Sequence, residues 1–275
     1  MSTTAPKRGV RKVSSRWPVT VAAVLGGLAL LLVAYVALRS DQNDVLSFAG
    51  VPSEVVVQSD AGLVVVVPAE GDDVQVSRRA EWTVAKPDMK VEVVGGSLVI
   101  QAHCDGGTWL CDVQHRVAVP ADVRVRIVGE GSTVNVAGIS GAVDIETSGG
   151  DVVVTNLTST LKVRTAGGDI SISEVTGDID VATEDGTITG DALTGLAIQS
   201  GTDSGDISLN VTGPADRIGA GSNSGNITLV VLDVGYVVDA QASSGDVTVD
   251  ITESPAAAHA ISASTGSGEI SITAG

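Results

Sequence analysis

Aromatic side chains are nearly missing from this chain, with one Phe, two Tyr and three Trp in 275 residues. That scarcity weakens any reading as a carbohydrate platform, which draws on stacked rings. Catalytic signatures are missing as well. There is no GxSxG elbow, no HExxH, no phosphate loop and no dinucleotide fingerprint. Acids occur in nearly every segment, so the sequence nominates no carboxylate pair for glycoside cleavage. His259 sits in the alanine-rich stretch ESPAAAHA, which reads as a surface loop. No catalytic residue, metal or cofactor is expected.

Positive charge is the next shortage. Beyond Arg39 ten Lys and Arg stand against all 33 acids, a net charge of −23. Such a field repels nucleic acid and anionic lipid heads, which excludes DNA or RNA as a partner. The first 17 residues reverse the balance, with Lys7, Arg8, Arg11, Lys12 and Arg16 and no acid. Val19 to Leu38 then carries no charge. At about 1.5 Å per helical residue it spans the ~30 Å hydrocarbon core. The cations ahead of it place the N-terminus in the cytoplasm and the rest outside. A cleavable signal would have a shorter apolar region ending in small residues, and Tyr35-Val36-Ala37 fits that poorly. The expected order is a basic tail at 1–17, a transmembrane signal anchor at 18–39 and a polar linker at 40–45.

What the chain has in abundance is a repeat. Seven segments set a small or polar residue and glycine before an alternating apolar run: SGGDVVV, AGGDISI, EDGTITG, DSGDISL, NSGNITL, SSGDVTV and GSGEISI. Their glycines are Gly150, Gly168, Gly186, Gly205, Gly225, Gly245 and Gly268, spaced 18, 18, 19, 20, 20 and 23 apart. Periods near 20 residues mark a solenoid. Each repeat holds two short runs, such as Leu161 and Val163 followed by Ile170 and Ile172, with polar residues between. Apolar residues two apart share one face of a strand. A lone pair of strands cannot bury that face, but stacked coils can. The expected fold is therefore all-β, a parallel solenoid of about seven 18–20-residue coils over 131–275. The glycines are corner residues, and Asp151, Asp169, Asp206 and Asp246 support the turns by hydrogen bonding nearby backbone. Calcium-binding β-rolls share the 18-residue period, but their GGxGxDxUx motif lacks its middle Gly-x-Asp here.

Residues 46–130 remain strand-rich without the glycine period and are placed to cap the stack. Gly95-Gly96 reads as a hairpin turn, and Trp82 and Trp109 as core residues of the cap. Cys104 and Cys111 in HCDGGTWLC suggest a local disulfide in an oxidising compartment. A metal site from His103, Cys104, Cys111 and His115 is the rival, against which adjacent ligands diverge on a strand. Asn156, Asn210 and Asn226 begin N-x-T sequons, which arise easily in a Thr-rich repeat. The chain stops on its last strand, Glu269 to Thr273. An open C-terminal edge there is expected to pair with a second copy or a partner.

The segment RRAEW (Arg78 to Trp82), the run GGSLVIQAHC (Gly95 to Cys104), Cys111, HRVAVPADVRVRI (His115 to Ile127) and the SGD repeats resemble a bacterial β-strand-repeat family. That family is common in actinobacteria, of unknown function, and also described as candidate adhesins. The likeness spans residues 50–275 and implies a right-handed β-solenoid outside the cell, with no established activity. The sequence thus predicts a non-enzymatic, single-pass, membrane-anchored module for adhesion or cell-envelope binding. An alternative is a sensing or accessory subunit of an envelope-stress complex, working through a membrane partner at Val19 to Leu38. A third reading is a solenoid enzyme that cleaves polysaccharides.

Overall fold

The computed structural model of the protein describes residues 40–50, 52–105 and 111–275, and their regular structure is β throughout. The expected tail at 1–17 and transmembrane segment at 18–39 lie outside these residues, as does Trp109. No helix among the described residues is long and apolar enough to cross a membrane. Seven strands come first: β1 (Ser40–Phe48), β2 (Glu54–Pro68), β3 (Val74–Trp82), β4 (Asp88–Val94), β5 (Ser97–His103), β6 (Cys111–Val119) and β7 (Arg124–Ala137).

The glycine repeats then make seven coils of two strands. The first is β8 (Val143–Thr147) with β9 (Val152–Leu157), and the second β10 (Leu161–Gly167) with β11 (Ile170–Val175). The third is β12 (Ile179–Asp185) with β13 (Ile188–Leu193), and the fourth β14 (Ala197–Ser204) with β15 (Ile207–Val211). The fifth is β16 (Arg217–Ser224) with β17 (Ile227–Val231), and the sixth β18 (Tyr236–Ala242) with β19 (Val247–Asp250). The seventh is β20 (His259–Ser267) with β21 (Ile270–Ala274).

Leading strands of the coils pair in parallel into one sheet and trailing strands into another, so the solenoid is a two-sided sandwich. Register is kept from coil to coil. Leu161 pairs with both Val143 and Ile179, and Ile170 with both Val152 and Ile188. All six are buried between the sheets, while Lys162 and Ser171 beside them face water. Fully burying such a side chain contributes roughly 1.5–3 kcal/mol, and only the neighbouring coil supplies the cover. One continuous core runs from Val55 to Ile272, so residues 40–275 hold their own core.

Several expectations change. Residues 40–45 are not a linker, because they form the first part of β1, paired antiparallel with β3. The same strand runs on to Leu46 and Phe48, which pack against the core. The parallel stack also begins before residue 131. β2 and β7 each bend across both sheets as complete coils, and β5 with β6 makes another. Antiparallel pairing is confined to this end, where β1 pairs with β3, β3 with β6 and β4 with β5.

The largest departure concerns coil order. The seventh coil lies between the fifth and the sixth: β20 pairs with both β16 and β18, and β21 with both β17 and β19. The strand at Glu269 to Thr273 is therefore covered on both sides, and the expected open edge is not there. The sixth coil ends the stack instead, with Val237 and Val247 each 41% exposed. The 23-residue spacing has a structural cause. The chain must step back by one coil, and the eight residues 251–258 between β19 and β20 carry that step. Tyr236 is buried beneath this crossover, donates to the Leu232 carbonyl at 3.1 Å, and meets His259 with ring centroids 5.9 Å apart.

Candidate functional site

The corner glycines stand one above another along one edge of the sandwich. A Cβ on Gly168 would fall 2.3 Å from the Gly150 carbonyl oxygen, and one on Gly186 2.1 Å from that of Gly168. Gly205 and Gly225 repeat the pattern at 2.0 and 1.9 Å. Gly268 then stands on Gly225 at 2.2 Å, and Gly245 on Gly268 at 2.0 Å, in the order of the rearranged coils. Gly150, with φ of 95°, faces the Ser132 carbonyl at 2.4 Å. The sequence argument rested on backbone conformation, whereas close stacking is the condition that all seven share.

Two hydrogen-bond ladders flank these corners. Asp151 Oδ1 accepts from the Asp169 amide at 3.1 Å, and Asp169 Oδ1 from the Thr187 amide at 2.8 Å. Asp206 and Asn226 do the same for Asn226 and Glu269. Inside, the buried hydroxyls of Thr183, Thr202, Ser222 and Thr265 donate to the corner carbonyls of Gly168, Gly186, Gly205 and Gly225. These hydroxyls were not singled out from the sequence, although Thr/Ser-x-x-Gly recurs at every corner but that of Gly245.

Cys104 and Cys111 are bonded to each other, closing the corner between β5 and β6 on the same edge as the glycines. The rival metal set does not converge. Both sulfurs lie in that bond, His103 is 63% exposed beside Asp60 and Asp105, and His115 is buried in the inner row of β6. Asp60 raises the His103 imidazole above its ordinary pKa. Burial, aided by the Arg78 guanidinium, lowers His115 to about 4. Arg78 Nε and Nη1 and both His115 ring nitrogens have no hydrogen-bond partner among the described residues.

The outer face of the first sheet carries a groove of about 720 Å³ that runs across the coils. Register lines up Glu146, Arg164, Ala182, Gly201, Gly221 and Ser264 along its length. Arg164 is folded onto the sheet by the Asp180 carboxylate and carbonyl. Beyond it the floor is almost bare backbone at Ala182, Gly201 and Gly221, walled by Glu184, Asp203 and Asn223. Asn223 Nδ2 donates to Asp203 Oδ1 at 2.9 Å, which holds that wall upright. A second hollow of about 460 Å³ continues from Gly221 and Ser264 over Gly219 and Ser262.

These glycines differ from those of the corners. A Cβ on Gly201 would find its nearest atom at 3.9 Å and one on Gly221 at 3.8 Å, so packing does not demand glycine at either. Glycine inside a strand costs roughly 0.5–1 kcal/mol and marks places where another chain or ligand comes close to the backbone. Among the described residues no group of three or more His, Cys, Asp or Glu side chains is arranged to hold a metal.

The sequence profile of Toastrack DUF4097 matches residues 53–274. A candidate adhesin from Bacteroides fragilis shares the fold, with a TM-score of 0.52 at 16% identity, covering 86% of this chain and 98% of the other. A candidate adhesin from Parabacteroides distasonis aligns at 14% identity with a TM-score of 0.42, over 84% and 97% of the two chains. No protein with a curated description matches the chain. Neither the profile nor the Bacteroides structure carries the name of an enzyme family.

Proposed function

Because the chain belongs to the Toastrack DUF4097 family, we propose that it is a non-enzymatic binding module of the bacterial cell envelope. Residues 18–39 anchor it in the membrane and residues 40–275 stand outside the cell. Its binding surface is the groove across the coils, where an extended polymer lies on the bare floor at Ala182, Gly201 and Gly221. That groove carries the reading. Its long axis crosses one coil after another, so the contact grows with each coil, as expected for solenoid recognition surfaces. Wall groups Glu184, Asp203 and Asn223 supply hydrogen-bond partners for a polar chain. The description of the Bacteroides structure of the same fold as a candidate adhesin agrees with this role.

The test is direct. Purified residues 40–275 are incubated with isolated cell-wall material and with host matrix, and the bound fraction is measured. Retention on one of these surfaces is the expected result, and failure on all of them overturns the reading. Crosslinking of the full chain in its membrane supplies the contrast. Capture of one specific membrane protein through residues 18–39, without wall polymer, would favour the accessory-subunit alternative.

A further inference from the structure

A separate hollow, of about 400 Å³, lies on the outer face of the other sheet, near its antiparallel end. Register sets β1, β3, β6 and β2 side by side there. Val45, Ser77, Arg116 and Val65 form one cross-strand row, and Asn43, Arg79, Gln114 and Leu63 the next. The residues between the rows, Arg78, His115 and Val64, point into the core. Arg79 and Arg116 are therefore diagonal neighbours on adjacent strands, a separation of about 7–8 Å that long side chains bridge. The small Ser77 and the neutral Gln114 occupy the other diagonal.

Charge makes this place unlike the rest of the protein. Beyond Arg39 acids outnumber cations 33 to 10, yet Arg79 and Arg116 share this outer face, with Asp44 as the single acid of the lining. Asp44 is taken by Arg78 at 3.2 Å, and Arg79 reaches Glu81 at 2.8 Å. Arg116 has no ion-pair partner among the described residues. Beside the cations Leu63 and Val65 are half-buried and Val45 is 76% exposed at the rim, so most of the exposed surface of the hollow is apolar. A mostly apolar hollow with a few convergent polar groups is the usual form of a small-ligand site.

We propose that this hollow binds a phosphate carried on an apolar stem. The phosphate sits between Arg79 and Arg116, whose planar forks match its oxygens, and the stem lies against Leu63, Val65 and Val45. The surrounding negative field opposes approach of a whole anionic surface, so a soluble alkyl phosphate is favoured over a lipid bilayer. The site is separate from the groove and does not depend on it.

Hexyl phosphate is titrated into residues 40–275 by calorimetry, with inorganic phosphate and hexanol as partial probes. Expected are saturable binding of hexyl phosphate and at least tenfold weaker binding of either probe. Arg116→Gln and Arg79→Gln should each weaken hexyl phosphate at least tenfold while leaving the thermal midpoint unchanged, since both side chains are exposed. Gly201→Val with Gly221→Val should leave the titration as it is. Absence of saturation, or an Arg116→Gln protein that binds like the parent, overturns the proposal. Flotation with phosphatidylglycerol vesicles but not phosphatidylcholine vesicles, lost in Arg116→Gln, would sustain the site and assign its phosphate to lipid. Calorimetric binding without flotation assigns it to a soluble ligand.

Discussion

The carbonyl oxygen of Gly225 accepts the Thr265 hydroxyl at 2.9 Å across 40 residues of sequence. In the coils before it, the same bond joins neighbours in the chain, as from Thr202 to Gly186 and from Ser222 to Gly205. The long reach arises because the seventh coil occupies the place next to the fifth. Either order of the last two coils makes the same number of strand pairings. The seventh brings Ile261, Ile270 and Ile272, all buried, whereas the sixth offers Val238, Ala240 and Val249, which are half-buried at the end. Burying the larger side chains from both directions selects the observed order.

Cysteine pairs distinguish the two orders. Thr228 and Ser271 are register partners on adjacent strands, at a spacing a disulfide accepts. Thr228 and Thr248 are separated by the intervening β21, roughly 10 Å, which is too far. Thr228→Cys with Ser271→Cys is expected to oxidise to an intramolecular bond, and Thr228→Cys with Thr248→Cys to stay reduced. The reverse outcome, read by thiol titration and peptide mapping, would show an in-order stack.

Much of this architecture is legible in the sequence. Glycine spacing marks the corners, and apolar alternation marks two strands per coil. The order of the last coils is not legible, because Gly245 and Gly268 head equally good repeats and residues 253–260 read as a surface loop, whereas His259 and Ala260 open β20. One letter does mark the end coil. Ala242 stands where the other corners have Thr or Ser, at the coil whose hydroxyl row is no longer buried. The groove was hidden for another reason. Gly201 and Gly221 are 20 residues apart, and only parallel register brings them together. Nor does any local pattern foretell Arg78 and His115, polar letters at core positions of alternating strands.

The hydroxyl ladder should carry measurable stability. Thr202 is buried and donates to the Gly186 carbonyl at 3.0 Å. Thr202→Val is expected to lower stability by about 1–3 kcal/mol, and Thr202→Ser to recover most of it. Urea midpoints of residues 40–275 check this; an unchanged midpoint for Thr202→Val would remove the ladder from the account.

Acid should loosen the fold through His115. Its imidazole is held neutral by burial and then by Arg78, with a pKa of about 4 against 6.5 when free. The unfolded chain therefore takes up the proton first. The stabilising contribution is full above pH 6.5, falls as the pH drops, and is gone below about 4, a change of about 3 kcal/mol. His115→Leu removes the titrating group, so its stability should vary less over that window than the parent's. Equal pH profiles from chemical unfolding would contradict the assignment.

The groove and the fold make opposite demands on Gly201 and Gly221, and this gives the most direct test. Side chains at both positions enter open space, so Gly201→Val with Gly221→Val should fold with stability equal to or up to about 1 kcal/mol above the parent. The same change fills the floor on which the polymer lies. Binding of the parent and this variant to isolated cell-wall material, measured side by side at matched folding, decides the matter. The account predicts retention of the parent and at least tenfold weaker retention of the variant. Equal retention of the two proteins would contradict it.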